Sequence, residues 1–144
     1  MKRTITTIAL TALISFFISS VYGQSAKYLN FGGLGTGLYA SLEFPVGSAI
    51  TVAPLVATDY ELNKIIIAAK GSYYFDDIFG LNETWDAYAG VNVGWRIESN
   101  SNDDGGNFGI HIGGRWFWTE KWGVNAEFGG GSGVLGGAGI TMKM

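Results

Sequence analysis

Trp85-Asp86-Ala87-Tyr88-Ala89-Gly90-Val91-Asn92-Val93-Gly94-Trp95-Arg96-Ile97-Glu98 is the most regular stretch of the chain. Its odd-numbered positions are all apolar, and its even-numbered ones are polar or small. A period of two belongs to a strand with two different faces, because successive side chains point to opposite sides of a pleated backbone. Fourteen residues without a break are long for a strand in an ordinary domain.

Phasing the other segments by their apolar residues repeats the pattern. Residues 107–118 set Phe108, Ile110, Ile112, Trp116 and Trp118 against Asn107, Gly109, His111, Gly113 and Arg115. In 122–130, Trp122, Val124, Ala126 and Phe128 oppose Gly123, Asn125, Glu127 and Gly129. Segments 36–44, 64–75 and 134–144 behave alike, with Ile66 out of phase. Weaker strands at about 26–34 and 49–58 bring the predicted set to eight, which a meandering antiparallel barrel accounts for and a sandwich also permits. Two features strain this count. Without a break at Gly33-Leu34-Gly35-Thr36-Gly37 the number falls to seven, and Pro54 removes a ladder donor, so it calls for a bulge or a strand end.

Composition narrows the class. The 144 residues carry 23 glycines, 15% aromatics, only 15% charged residues and no cysteine. Disulfides and thiolate metal sites are therefore excluded. Met1-Lys2-Arg3, an apolar stretch from Ile8 to Ile18 and the small-residue exit Val21-Tyr22-Gly23 read as a secretory signal over 1–23, leaving one domain over 24–144. The formal net charge of −3 becomes more negative once Lys2 and Arg3 are removed, so nucleic acid is not an expected partner. No later stretch is apolar for the length a spanning helix requires.

The alternation alone fits a soluble barrel with its apolar face inward or a membrane barrel with that face outward. Three features favour the second. Glycines prefer the polar face, as Gly32, Gly90, Gly94, Gly113, Gly123, Gly137 and Gly139 illustrate. A narrow eight-stranded lumen needs such small residues beside long ones. With both chain ends on one side, Phe44, Phe75, Trp85, Trp116, Trp118 and Trp122 gather at one end of the strands as an interfacial aromatic girdle, with Tyr60, Trp95 and Phe108 toward the other. The strand charges Glu43, Lys70, Asp86, Arg96, Glu98, Arg115, Glu127 and Lys143, together with His111, all take the polar phase. A basic side chain facing mid-bilayer costs about 2–4 kcal/mol, which would filter charge from the apolar phase. The expected fold is thus an all-β, eight-stranded antiparallel up-and-down transmembrane β-barrel with short loops.

Ala69-Lys70-Gly71-Ser72-Tyr73-Tyr74-Phe75-Asp76, Asp86-Ala87-Tyr88-Ala89-Gly90, Gly113-Gly114-Arg115-Trp116-Phe117-Trp118-Thr119 and Asn125-Ala126-Glu127-Phe128-Gly129 resemble the small outer-membrane β-barrel proteins of Gram-negative bacteria, the OmpA-like and OmpX-like group. The resemblance covers nearly all of the chain after the leader. It implies a bacterial outer-membrane location, outer-membrane lipid as surroundings, and both termini in the periplasm. The ending Gly139-Ile140-Thr141-Met142-Lys143-Met144 is similar to the group's insertion signal, which implies the barrel-assembly machinery as a partner; Met144 stands where an aromatic is usual.

The polar face carries both signs of charge, which suggests a plug. A hairpin centred on Thr119-Glu120-Lys121 places Glu127 opposite Gly113 with Arg115 and His111 diagonal to it, so an Arg115–Glu127 ion pair is expected. His111 is the only histidine, and no serine stands near it in triad-like order, so no catalytic site is expected. Asn100-Ser101-Asn102-Asp103-Asp104-Gly105 looks like half of a calcium loop, but His111 occupies the place of the closing carboxylate. It is read as a surface loop, and no metal or cofactor is expected. Gly129-Gly130-Gly131-Ser132-Gly133 and Gly33–Gly37 lead into no helix bearing Lys-Ser/Thr and are read as turns. Asn82-Glu83-Thr84 is read the same way, and the connection 76–84 as a solvated turn. The function expected is that of a small, monomeric structural barrel with a charged, plugged lumen. A weak small-solute channel and a soluble exported ligand-binding barrel are the alternatives.

Overall fold

The computed structural model describes residues 27–34, 37–99, 105–130 and 136–144. The leader, the calcium-like segment 100–104 and the glycine runs at 35–36 and 131–133 lie outside the described residues. Eight strands form one closed antiparallel barrel in sequence order: β1 (Tyr28–Leu34), β2 (Gly37–Pro45), β3 (Ile50–Asp59), β4 (Lys64–Tyr74), β5 (Trp85–Glu98), β6 (Gly105–Phe117), β7 (Trp122–Gly130) and β8 (Gly136–Lys143). The chain does divide at Gly33–Gly37, since β1 and β2 pair with each other from Tyr28↔Glu43 to Leu34↔Gly37. Closure comes from β1 against β8, between Tyr28↔Lys143 and Gly32↔Gly139.

Pro54 needs neither a bulge nor a strand end. The β2–β3 register carries through unchanged from Ser41↔Leu55 to Phe44↔Val52, with the ladder interrupted between them. The missing donor is thus absorbed as a local gap on the β2 side, while Pro54 stays paired with Ala69 on the other.

The apolar phase faces outward. All five tryptophans lie on the outside and are 37–55% exposed, in company with Val91, Val93, Phe108, Ile110, Ile112, Val124 and Phe128. Leu42 is in phase with them but buried. Trp85 and Trp116 stand opposite each other with ring centroids 6.1 Å apart. Trp118 and Trp122 frame the hairpin between β6 and β7, where Trp118 N–H donates to the Trp122 carbonyl and Thr119 Oγ1 accepts from Trp122 N–H. Trp95 lies toward the other rim of the wall, near the far end of β5.

The inward phase is less uniform than the sequence suggests. Leu55, Ala57, Ile66 and Ala68 form a buried apolar cluster on β3 and β4, with Tyr39 packed on it. Ile66, out of phase on a strand assumed to be polar inside, belongs to this cluster. The barrel interior is therefore polar in one part and apolar in another.

The connection 75–84 contains a one-turn helix, α1 (Asp76–Phe79), ended by Gly80 in the left-handed region at φ 61°. Asn82 Oδ1 accepts from Thr84 N–H at 3.1 Å, so Asn82-Glu83-Thr84 is the expected turn.

Close approach explains the lumen-facing glycines. A Cβ on Gly90 would collide with the Gly71 carbonyl oxygen and come within 2.9 Å of His111 Cε1, whereas one on Gly71 would meet nothing within 4 Å. Gly90→Ala is expected to destabilise the folded barrel by about 1–3 kcal/mol through overpacking. Gly71→Ala should be close to neutral. Urea unfolding in detergent checks both, and equal midpoints for the two variants would refute the close-packed lumen.

Candidate functional site: the barrel interior

Closure turns alternate residues toward the axis, and their contacts sort into three levels. At the level nearest the 46–49, 75–84 and 118–121 turns sits Arg115, only 2% exposed. Its guanidinium donates to Asp86 Oδ2 at 3.1 Å, to Glu43 Oε2 at 2.9 Å and to Asn30 Oδ1 at 3.4 Å. The Tyr28, Tyr74, Tyr88 and Phe117 rings surround it with centroids 4.5–5.9 Å away. The Tyr74 hydroxyl donates to the other oxygen of Glu43. A cation taken this far from water needs opposite charge beside it; two carboxylates and an amide engage Nη1 and Nη2, while Nε is buried without a hydrogen-bond partner.

From this cage a hydrogen-bonded chain runs across the seam where the barrel closes. Thr141 Oγ1 donates to Asn30 Oδ1 at 2.7 Å, Asn125 Nδ2 to Thr141 Oγ1 at 2.8 Å, and the Tyr39 hydroxyl to Asn125 Oδ1 at 2.6 Å. Strands β1, β2, β7 and β8 are joined by side chains as well as by their backbone ladders.

At the middle level Lys70 Nζ meets Glu127 Oε2 at 2.5 Å, and the Tyr88 hydroxyl donates to the same oxygen at 3.1 Å. Glu127 does lie opposite Gly113, as the hairpin predicts. The Arg115–Glu127 pair does not form. Arg115 instead takes Asp86, its direct partner on β5, and Glu43 from across the lumen. The expectation considered only the β6–β7 hairpin, whereas closure brings β2 to one side of Arg115 and β4 to Glu127.

His111 also has a neighbour that sequence order conceals. Ser72 Oγ is 2.9 Å from its Nε2, and Asn92 Nδ2 is 3.3 Å from its Nδ1. Whichever ring nitrogen carries the proton, the imidazole is held between the Ser72 hydroxyl and the Asn92 amide. Ser72 is 7% and His111 4% exposed, and an amide stands where a triad has its orienting acid. The arrangement works as a buried polar link between β4, β5 and β6.

The third level, toward the opposite rim, combines the apolar cluster with Lys64 Nζ at 3.1 Å and Arg96 Nε at 3.7 Å from Glu98 Oε1. Lys143 is exposed at the rim where the chain ends. The expected charge set is thus divided into the Arg115 cage, the Lys70–Glu127 pair, the His111 link, the rim triplet and the outlying Lys143.

Sequence reasoning put Tyr39, Ser72, Tyr88, Asn92, Asn125 and Thr141 on the polar phase without naming their partners, and gave no phase to Tyr28, Asn30 and Tyr74. Their signal was present in their phase, opposite to the apolar residues of each strand. A test follows from the partners observed. Removing Arg115 strands two carboxylates, so Arg115→Ala should cost about 3–5 kcal/mol. A double-mutant cycle in detergent-folded protein should give a coupling of about 0.5–3 kcal/mol for Arg115 with Glu43 and a smaller one for Arg115 with Glu127. A larger coupling to Glu127 would contradict the cage.

No protein-family model and no curated protein matches the sequence. Among solved structures, the N-terminal β-barrel domain of Pseudomonas aeruginosa OprF superposes with a TM-score of 0.63 at 16% identity, covering 85% of this chain and 99% of that domain. At that identity the likeness is one of architecture, and it agrees with the strand order and closure described above. The chain has the fold of that domain, an all-β, eight-stranded antiparallel up-and-down barrel.

Proposed function

We propose that the protein is a small structural barrel of the bacterial outer membrane, exported with cleavage of residues 1–23 and plugged by its own side chains. The outward apolar belt carries this reading. In water, each large apolar side chain left exposed forgoes about 1.5–3 kcal/mol relative to burial, and contiguous apolar patches on soluble monomers rarely exceed a few hundred Å². A belt running through Trp95, Phe108, Ile110, Ile112 and Phe128 with charge turned to the axis is matched by acyl chains. The same belt disfavours a soluble ligand-binding barrel. The buried Arg115 cage and Lys70–Glu127 pair support a plugged interior. By the resemblance, insertion would use the barrel-assembly machinery through Gly139–Met144, and the protein would work as a monomer.

The second reading, a weak small-solute channel, draws on a cavity of about 190 Å³ at the mouth near the 46–49 turn. Tyr28, Tyr74 and Asp86 line it, the same side chains that surround Arg115, so any path inward meets the cage.

Outer-membrane fractionation with gel migration before and after boiling tests the location. Recovery in that fraction with a heat-dependent shift is expected; monodisperse folded protein in detergent-free buffer would sink the membrane reading. In planar bilayers the unaltered protein should be silent, and steady single-channel steps would favour the channel.

A further inference from the structure

The connection 76–84 was expected to be a solvated turn; Asp77, Asn82, Glu83 and Thr84 are exposed there as expected, but so are the large apolar side chains of Ile78, Phe79 and Leu81. Phe75, Ile78 and Phe79 have the i, i+3, i+4 spacing that puts side chains on one face of a helix. Ile78 is 64% and Phe79 65% exposed. Asp76 is directed elsewhere: its Oδ1 accepts from Ala87 N–H at 2.8 Å, and it lines the cavity at the barrel mouth. Asp76 is thus turned to the mouth, Ile78 and Phe79 are not part of its lining, and Asp77 is exposed.

The apolar edge continues the outer belt without a gap. Tyr73, outward on β4, packs edge-on against Phe75 at 5.2 Å, and Phe75 packs against Phe79 at 5.8 Å. Phase on the wall is preserved into the turn, because Phe75 N–H donates to the Ala87 carbonyl at 2.8 Å and extends the β4–β5 ladder by one residue beyond Tyr74↔Tyr88. Trp85 and Trp116 stand at this same end. Gly80 in the left-handed conformation, with Leu81 N–H donating to the Asp76 carbonyl at 2.9 Å, fixes the turn's return path.

We infer that α1 is an in-plane membrane anchor: Ile78 and Phe79 enter the boundary between headgroups and acyl chains of the leaflet at the chain-end side of the barrel. The occupant is phospholipid, because the ring ladder Tyr73–Phe75–Phe79 joins this face to the belt, and Asp76 is already engaged with the barrel mouth while Asp77 is left at the aqueous side. A short amphipathic helix beside aromatic side chains is suited to that depth, with its apolar face sunk and its charged edge in water. The inference rests on the transmembrane reading and extends it to a segment outside the strands.

The absence of cysteine permits a single-site test. Phe79→Cys, Ile78→Cys, Ile112→Cys and Asn82→Cys are each spin-labelled on the full chain, folded into phosphatidylethanolamine/phosphatidylglycerol vesicles, and their collision rates with oxygen and with a water-soluble nickel complex compared. Ile112 marks the belt and Asn82 the aqueous side of the turn. Labels at 78 and 79 are expected to favour oxygen over nickel severalfold relative to the label at 82, at a depth shallower than 112. Nickel access at 78 and 79 equal to that at 82, with 112 in lipid, overturns the anchor and leaves the spanning barrel standing. Nickel access at 112 as well overturns both.

Discussion

An eight-stranded wall encloses a space so narrow that inward side chains must fill it against one another, and that constraint governs the rest of the structure. A charge placed there has little access to water and must find its counter-charge among the other strands. Arg115 meets the requirement with two carboxylates, an amide and a collar of rings. The cage joins β1, β2, β5 and β6, so the charges that fill the lumen also tie its walls together.

Glycine is the device that makes such long reaches possible. Ser72, Gly90 and His111 lie in one row across β4, β5 and β6, and the missing Cβ at Gly90 lets the hydroxyl meet the imidazole. Tyr88, Gly113 and Glu127 repeat the arrangement across β5, β6 and β7. Tyr39 reaches Asn125 over two glycines, Gly32 and Gly139, which face each other at the closing seam. His111 lies in the gap at Gly90, Tyr88 in that at Gly113 and Tyr39 against Gly137, while Gly32 and Gly139 are closed by neighbouring backbone, so glycine number and close packing go together.

The interior is not polar throughout. Leu55, Ala57, Ile66 and Ala68 give β3 and β4 an apolar inner face beneath Tyr39, while Val52, Pro54, Val56, Ile65 and Ile67 hold the outer phase. This is why alternation is weak in β3 and broken at Ile66 in β4: over this part of both strands the two faces are apolar. Pro54 lies here too, where a gap in the ladder toward β2 leaves the register undisturbed.

Strand positions and inward or outward phase were legible from the sequence, because both depend on a period of two and on local turn residues. β5 and β7 begin and end where alternation placed them, and Gly113↔Glu127 follows from the tight turn at Thr119-Glu120-Lys121. What hairpin register alone could not reach was contact between strands that do not touch in order. Glu43 with Arg115, Lys70 with Glu127 and Tyr39 with Asn125 depend on how far the closed wall is sheared and which side chains it brings across the axis. That offset is a property of the whole ring, so only the tertiary structure decided which opposite charges became partners.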